Sequence, residues 1–192
     1  MSHRIQIGID PSINSTGVCV RDTEKNETTY YIIAAKITKK QAALDSEKII
    51  YIDYGKHKPD KNDDFEVREH KKTHNICSIA EEIKKIVDSY TRAYGDVQCV
   101  IEGISYGSSS SSVLADLSGL NYVIRFMFRE LDVPYQIVAP SQLKKFAVGK
   151  GNADKDMMTD GWRKCDPSAV EIDGVKVDDV ADAYFLSVYQ ED

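Results

Sequence analysis

Residues 8–17 read Gly8-Ile9-Asp10-Pro11-Ser12-Ile13-Asn14-Ser15-Thr16-Gly17, and this stretch decides the fold. An alternating run with Ile5 and Ile7 leads into it, and a second apolar run, residues 18–20, follows it. Apolar runs of this kind on either side of a Pro-Ser turn are typical of two β-strands. The pattern therefore predicts two strands joined by a turn, with Asp10 held at the end of the first strand.

Three further acids are candidates for the same site as Asp10. Glu102 closes an apolar run, residues 97–102, and Asp179 and Asp182 lie three residues apart on a helical pattern. Singly, such acids are common as turn formers, or in the first turn of a helix, where the dipole favours them. An acid that closes an apolar strand is nevertheless costly to bury unless it is paired or bound to metal. Taken together, the four acids predict a carboxylate site for two Mg²⁺ ions, an arrangement suited to phosphodiester hydrolysis.

The order of elements predicts an α/β fold with a mixed sheet. Strands are expected at residues 5–10, 16–21, 28–36, 97–102 and 134–138, which gives three antiparallel strands followed by parallel ones. Amphipathic spacing predicts helices at 74–94 and 113–131, a helix entered at residues 139–141, and a last helix at 177–189. Residues 1–192 are expected to form a single domain. The polar stretch 38–72 is interpreted as a surface insertion, within which residues 49–52 are a candidate further strand.

Composition narrows the class of protein. The formal net charge of −6 argues against a general nucleic-acid binder, although residues 141–164 are locally basic. The four cysteines are far apart and two lie in predicted strands, which favours a reduced, cytoplasmic protein with no zinc site. No apolar stretch reaches the length of a membrane span, so no membrane association is expected.

Residues 144–155 combine lysines with two glycines around a predicted turn. Glycines let a backbone approach a bulky partner, and lysines on either side can grip phosphates. The spacing is not that of a Walker A loop, and solvated lysines at an ordinary turn are the competing interpretation. The candidate DNA-binding residues in this block are Lys144, Lys145, Gly149, Lys150, Gly151 and Lys155.

A serine-rich loop follows Glu102 directly. It reads Ser105-Tyr106-Gly107 and continues as a run of five serines. Such runs are usually flexible linkers, but one aromatic beside a candidate catalytic acid could stack on a base. Tyr106 is therefore a further candidate DNA-binding residue.

Four segments, in this order, resemble the RuvC family of Holliday junction resolvases, within the ribonuclease H-like superfamily. They are Gly8-Ile9-Asp10-Pro11 with Thr16-Gly17; Ile101-Glu102; residues 139–155, from Ala139-Pro140-Ser141 to Lys155; and Asp178-Asp179-Val180-Ala181-Asp182-Ala183. Ser12 stands where the family usually has glycine, and residues 38–72 are longer than in the compact bacterial form. These departures, with the serine-rich loop, are more similar to phage-borne members and put the cleavage-sequence preference in question.

The resemblance implies a ribonuclease H-like fold with a five-stranded sheet and a homodimer that cuts four-way DNA junctions by paired, symmetric nicks. It also implies Mg²⁺, or Mn²⁺ in its place, held by Asp10, Glu102, Asp179 and Asp182, and no small-molecule cofactor. Lys144 and Lys155 correspond to DNA-contacting lysines, and Tyr106 lies where the family places an aromatic that helps open the junction. The implied setting is the cytoplasm of a bacterium or of a phage-infected cell.

Three alternatives remain open from the sequence. The first is a broader nuclease of the same superfamily, which would cut branched DNA, flaps or RNA–DNA hybrids. The second is a junction-binding protein without catalysis, although all four acid positions are carboxylates. The third is a sugar-kinase or actin-like ATPase, because residues 8–17 also resemble the first phosphate loop of that fold. Its second phosphate loop and second large domain are not found in 192 residues.

Overall fold

The computed structural model describes residues 4–43, 48–104, 110–166 and 177–189. Its sheet has six strands in the spatial order β4-β3-β2-β1-β5-β6. The strands are β1 (Ile5–Asp10), β2 (Ser15–Asp22), β3 (Glu27–Ala34), β4 (Ile49–Asp53), β5 (Val97–Glu102) and β6 (Tyr135–Val138). The predicted mixed α/β sheet, with antiparallel strands followed by parallel ones, is confirmed.

The predicted number of five strands is wrong by one, because β4 joins the sheet. This strand pairs in parallel with β3 and lies at the edge of the sheet. It has only five residues and stands between polar segments, so its apolar pattern is short. As an edge strand, β4 has β3 as its one hydrogen-bonded neighbour in the sheet.

Five of the six strands run in the same direction. Only β2 is antiparallel to its neighbours β1 and β3, whereas β4, β5 and β6 pair in parallel. Consequently the last residues of β1, β3, β4, β5 and β6 all meet at one edge of the sheet, which we call the carboxyl edge. Loops at this edge of a parallel sheet are where ligand sites usually form.

The helices cover both faces of the sheet. They are α1 (Lys39–Ala42), α2 (Phe65–Tyr94), α3 (Ser111–Glu130), α4 (Pro140–Val148), α5 (Lys155–Cys165) and α6 (Asp178–Val188). Helix α2 begins nine residues before the predicted start at 74, because the Asp64 side chain caps it by accepting a hydrogen bond from the Val67 N–H at 2.8 Å. Its first two turns are exposed, so they carry no apolar periodicity that a sequence pattern could reveal. None of the helices in the described part of the chain is long and apolar enough to cross a membrane.

Two apolar layers sandwich the sheet. One lies between the sheet and helices α2 and α3 and includes Ile7, Ile9, Ile83 and Phe128. The other lies between the sheet and helices α4, α5 and α6. It contains a buried chain of hydrogen bonds: the Trp162 indole N–H donates to the Tyr30 hydroxyl at 2.9 Å, and that hydroxyl donates to Asp166. Because successive residues of a strand face opposite sides, the alternation along β1 and β5 fixes which side chains face α6.

Candidate active site at the carboxyl edge

Strand alternation directs Asp10 and Glu102 to the same face. Ile9 pairs with Ile101 in the β1–β5 ladder, and both belong to the layer against α2 and α3. The next residues, Asp10 and Glu102, therefore face α6 and lie on adjacent strands about 4.8 Å apart. The two predicted acids are brought together at the carboxyl edge.

Two glycines let α6 lie directly on the sheet. A Cβ on Gly8 would overlap the backbone of Ala183 and Ser187 in α6, and a Cβ on Gly17 would overlap the backbone of Asp179. Gly17 is also the residue that pairs with Asp10 across the β1–β2 ladder. Close contact of α6 with β2 at Gly17 therefore places Asp179 beside Asp10.

The carboxyl groups of Asp10 and Glu102 lie close enough to influence each other's pKa, and a hydrogen bond between them would need a proton on one of the two. Burial raises the pKa of Asp10 well above its ordinary value, and the charges of Glu102, Asp182 and Asp179 raise it further. Burial also raises the pKa of Glu102 to about 7, with the charge of Asp182 adding to the effect. These shifts show that the acids repel one another, as expected for carboxylates gathered without a counter-ion.

Asp182 completes the group from α6. Burial raises its pKa to about 6, the nearby charge of Asp179 raises it further, and Lys144 opposes the rise. Within the described part of the chain, its Oδ1 atom is buried and has no hydrogen-bond partner. A buried, unpaired carboxylate oxygen is costly, and a bound cation is one way to satisfy it.

The donor set is suited to a hard divalent cation. Among residues 4–43, 48–104, 110–166 and 177–189, no three His, Cys, Asp or Glu side chains are arranged to hold a metal ion together. Four carboxylates, of which Asp10, Glu102 and Asp182 have raised pKa values, together with one unsatisfied oxygen, nevertheless fit Mg²⁺ or Mn²⁺, which prefer oxygen ligands.

Two of the predicted lysines lie beside the acids. Lys144, half-buried on α4, lowers the pKa of both Glu102 and Asp182 through its positive charge. Lys155, the first residue of α5, pairs with Asp178 at 2.6 Å between Nζ and Oδ2, and this hydrogen bond raises its pKa. Both cations therefore offset the negative charge of the cluster, and the assigned DNA contacts remain a prediction.

The other residues of the basic block lie around the end of α4. Lys145 and Lys150 are exposed. Gly149 ends α4 with a φ of 77°, a conformation that favours glycine, and a Cβ on Gly151 would lie 3.2 Å from the Ser141 carbonyl oxygen. Both glycines thus have a structural role in the turn after α4, which does not depend on DNA. Tyr106 falls outside the described residues.

One residue of the site was missed from the sequence. The Asn121 side chain on α3 is buried and donates from Nδ2 to the backbone carbonyl of Glu102 at 2.8 Å. It fixes the end of β5 where the carboxylate projects. A polar residue at helical spacing from buried Ile124 and Phe128 was the signal that could have identified it.

Comparisons with known proteins agree with this architecture. No protein-family profile matches the sequence, and no curated protein matches it.

Among solved structures, RuvC from Thermus thermophilus is similar at a TM-score of 0.57 and 14% identity, over 96% of this chain and 91% of that chain. T. thermophilus RuvC in complex with Holliday junction substrate matches at a TM-score of 0.60 and 14% identity, over 97% and 92% of the two chains. The yeast mitochondrial Holliday junction resolvase Ydc2 matches at 0.50 and 13% identity, over 94% and 75%. The sheet order, the helices on both faces and these likenesses together show that the chain has the ribonuclease H-like fold of the RuvC Holliday junction resolvases.

Proposed function

We propose that the protein is a divalent-metal-dependent DNA endonuclease that resolves four-way junctions by paired, symmetric cuts. The observation that carries the proposal is the meeting of Asp10 and Glu102 with Asp179 and Asp182 of α6 at the carboxyl edge of a RuvC-like sheet. A structural neighbour is RuvC in complex with Holliday junction substrate, which supports branched DNA as the substrate class.

The chain's own residues prepare the site for phosphodiester hydrolysis. Asp10, Glu102, Asp179 and Asp182 would hold Mg²⁺ or Mn²⁺, which when bound supplies an activated water and stabilises charge on the phosphate. Lys144 favours the ionised forms of Glu102 and Asp182, so it keeps these carboxylates available as ligands. These residues lie on β1, β5, α4 and α6, so the scaffold rather than a mobile loop sets their positions.

The test is cleavage of a synthetic four-way junction with and without Mg²⁺. Linear duplex, a flap and an RNA–DNA hybrid serve as competing substrates, and the Glu102→Gln variant serves as the inactive control. We expect paired nicks confined to the junction, absent without metal and absent in Glu102→Gln. Junction affinity should persist in that variant, because an acid beside a phosphate contributes chemistry rather than attraction.

Each other outcome selects a different function. Equal cutting of flaps or hybrids would identify a broader branched-nucleic-acid nuclease. Junction binding without cutting would identify a non-catalytic junction-binding protein. Loss of junction binding in a folded Glu102→Gln protein would count against the proposed roles of the acids.

The proposal includes a homodimer, because symmetric cuts require two sites. The outer face of α3 is the surface that fits: Tyr122 and Phe126, which are one helical turn apart, are 59% and 63% exposed. Exposed apolar groups of this size on one helix mark a protein interface. We expect light scattering to give a dimer mass for the wild type and a monomer mass for Phe126→Ser, whereas a wild-type monomer with DNA bound would overturn the assignment.

A further inference from the structure

Lysines follow the carboxyl edge on both faces of the sheet. On the face that carries α6, Lys144 of α4 and Lys155 of α5 lie beside the acids. The connections that leave β3 and β4 also start from the carboxyl edge, and the one from β4 leads to α2 on the opposite face. Five exposed lysines belong to these two connections and are here called the β4-side lysines: Lys36, Lys39, Lys40, Lys58 and Lys61.

The connection from β4 to α2 is held against α2. The His57 N–H donates to Asn75 Oδ1 at 2.8 Å, and Asn75 Nδ2 donates to the His57 carbonyl oxygen at 3.0 Å. Asn75 is buried, and the His57 ring stacks on His74 with 3.9 Å between ring centroids. A buried side chain that satisfies both backbone groups of one residue fixes the path of this segment.

The same connection is also bound to the loop that follows Asp10. The Tyr54 hydroxyl donates to the Ile13 carbonyl oxygen at 2.7 Å, and Lys56 Nζ donates to Asn14 Oδ1 at 2.6 Å. Ile13 and Asn14 lie three and four residues after Asp10 in the sequence. The segment that carries Lys58 and Lys61 is thus anchored to the loop that follows Asp10.

Acids in this connection are engaged in local interactions. Asp53 Oδ1 accepts from the Gly55 N–H at 2.9 Å, and Asp63 pairs with Lys71 at 2.7 Å. Asp64 caps α2. These contacts satisfy the carboxylates within the chain, whereas the β4-side lysines extend into solvent at the carboxyl edge.

We propose that the β4-side lysines bind the backbone phosphates of a DNA arm, on the face of the sheet opposite to α4 and α5. This inference rests on the proposed function. A DNA arm that crosses the carboxyl edge from the acids meets the connection that carries Lys58 and Lys61, because Tyr54 and Lys56 bind that connection to the loop after Asp10. Exposed lysines on such a path bind backbone phosphates without reading the base sequence.

The experiment measures the salt dependence of junction binding. Fluorescence anisotropy with a labelled four-way DNA junction is recorded at several KCl concentrations with Mg²⁺ present, and every protein carries Glu102→Gln to prevent cutting. The test variant is Lys58→Gln/Lys61→Gln. The matched control is Lys25→Gln/Lys84→Gln, which removes two exposed lysines, in the β2–β3 turn at the opposite edge and in the later half of α2. The reference variant is Lys145→Gln/Lys150→Gln.

Each lost phosphate contact lowers the slope of log affinity against log salt by about 0.9. We therefore expect the slope of the test variant to be less steep by about two, and its affinity at low salt to fall by about tenfold or more. The control should match its parent in both quantities. A triple variant, Lys36→Gln/Lys39→Gln/Lys40→Gln, should lower the slope in the same direction.

The outcomes separate this inference from the proposed function. If the reference variant lowers the slope but the test and triple variants match the control, the β4-side lysines are ordinary solvated groups and the inference is overturned. If the Glu102→Gln parent binds no junction at all, although its thermal unfolding is cooperative, the proposed function fails and this inference fails with it. Folding of each variant is verified by the same unfolding measurement.

Discussion

Glu102 should make the metal-free protein less stable as the pH rises. Its pKa is about 7, against an ordinary value of 4.5, so the folded protein holds this proton more tightly than the unfolded chain. The stabilisation is complete below the unfolded pKa and is lost as the pH rises through the folded one. The gap corresponds to about 3 kcal/mol. For a chain of this size, that is a fall in Tm of roughly 6–12 °C between about pH 5 and about pH 8.

The assay is thermal unfolding in EDTA across this pH range, for the wild type and for Glu102→Gln. The variant cannot ionise at position 102, so it should lose part of the decline above about pH 6 and exceed the wild type at about pH 8. Asp10, whose pKa burial raises, and Asp182, with a pKa of about 6, remain in both proteins and account for the rest of the decline. Millimolar Mg²⁺ should raise the Tm of the wild type at about pH 8 and have little effect near pH 5, where Glu102 and Asp182 are protonated.

Two results would refute this reasoning. The first is a metal-free wild type whose Tm is the same at both ends of the range, which would mean that the acids do not interact as the structure indicates. The second is an equal effect of Mg²⁺ on the wild type and on Glu102→Gln, which would remove Glu102 from the metal site.

Three further substitutions test the parts of the site, and a fourth, Gly119→Ala, serves as the control for the first. Gly17→Ala should destabilise the protein by about 1–3 kcal/mol or more and abolish cutting, because its Cβ would overlap the backbone of α6. The control Gly119→Ala should be neutral or slightly stabilising, because its Cβ would meet only the end of the Ile76 side chain, at 3.3 Å. Asn121→Ala should cost about 1–3 kcal/mol in urea unfolding, because it leaves the Glu102 carbonyl without its donor. Lys155→Gln should change the free energy of unfolding by less than about 1 kcal/mol, because the ion pair of Lys155 with Asp178 is exposed. The same variant should bind the junction measurably less tightly. A large loss of stability would show instead that the ion pair has a structural role.

Sequence patterns predicted the elements whose burial is regular. The alternation in β1 and β5 predicted both strands and placed Asp10 and Glu102 at their ends. The helical spacing of Asp179 and Asp182 predicted that they share α6. These features depend on local periodicity, which a single sequence displays.

What the sequence did not reveal depends on contacts between distant residues. The early start of α2 follows from a side-chain cap at Asp64. The candidate strand at 49–52 is present as β4, but its place in the sheet follows from pairing with β3. The role of Asn121 depends on a carbonyl group 19 residues earlier in the chain. The raised pKa values of Asp10 and Glu102 depend on burial and on neighbouring charges, neither of which a residue pattern encodes.

The contact of α6 with Gly8 and Gly17 has a consequence for how this protein can vary. Backbone meets backbone there, so the separation between the helix and the strands does not depend on the size of any side chain between them. Substitutions elsewhere in the core can change volume and shape while Asp179 keeps its position next to Asp10.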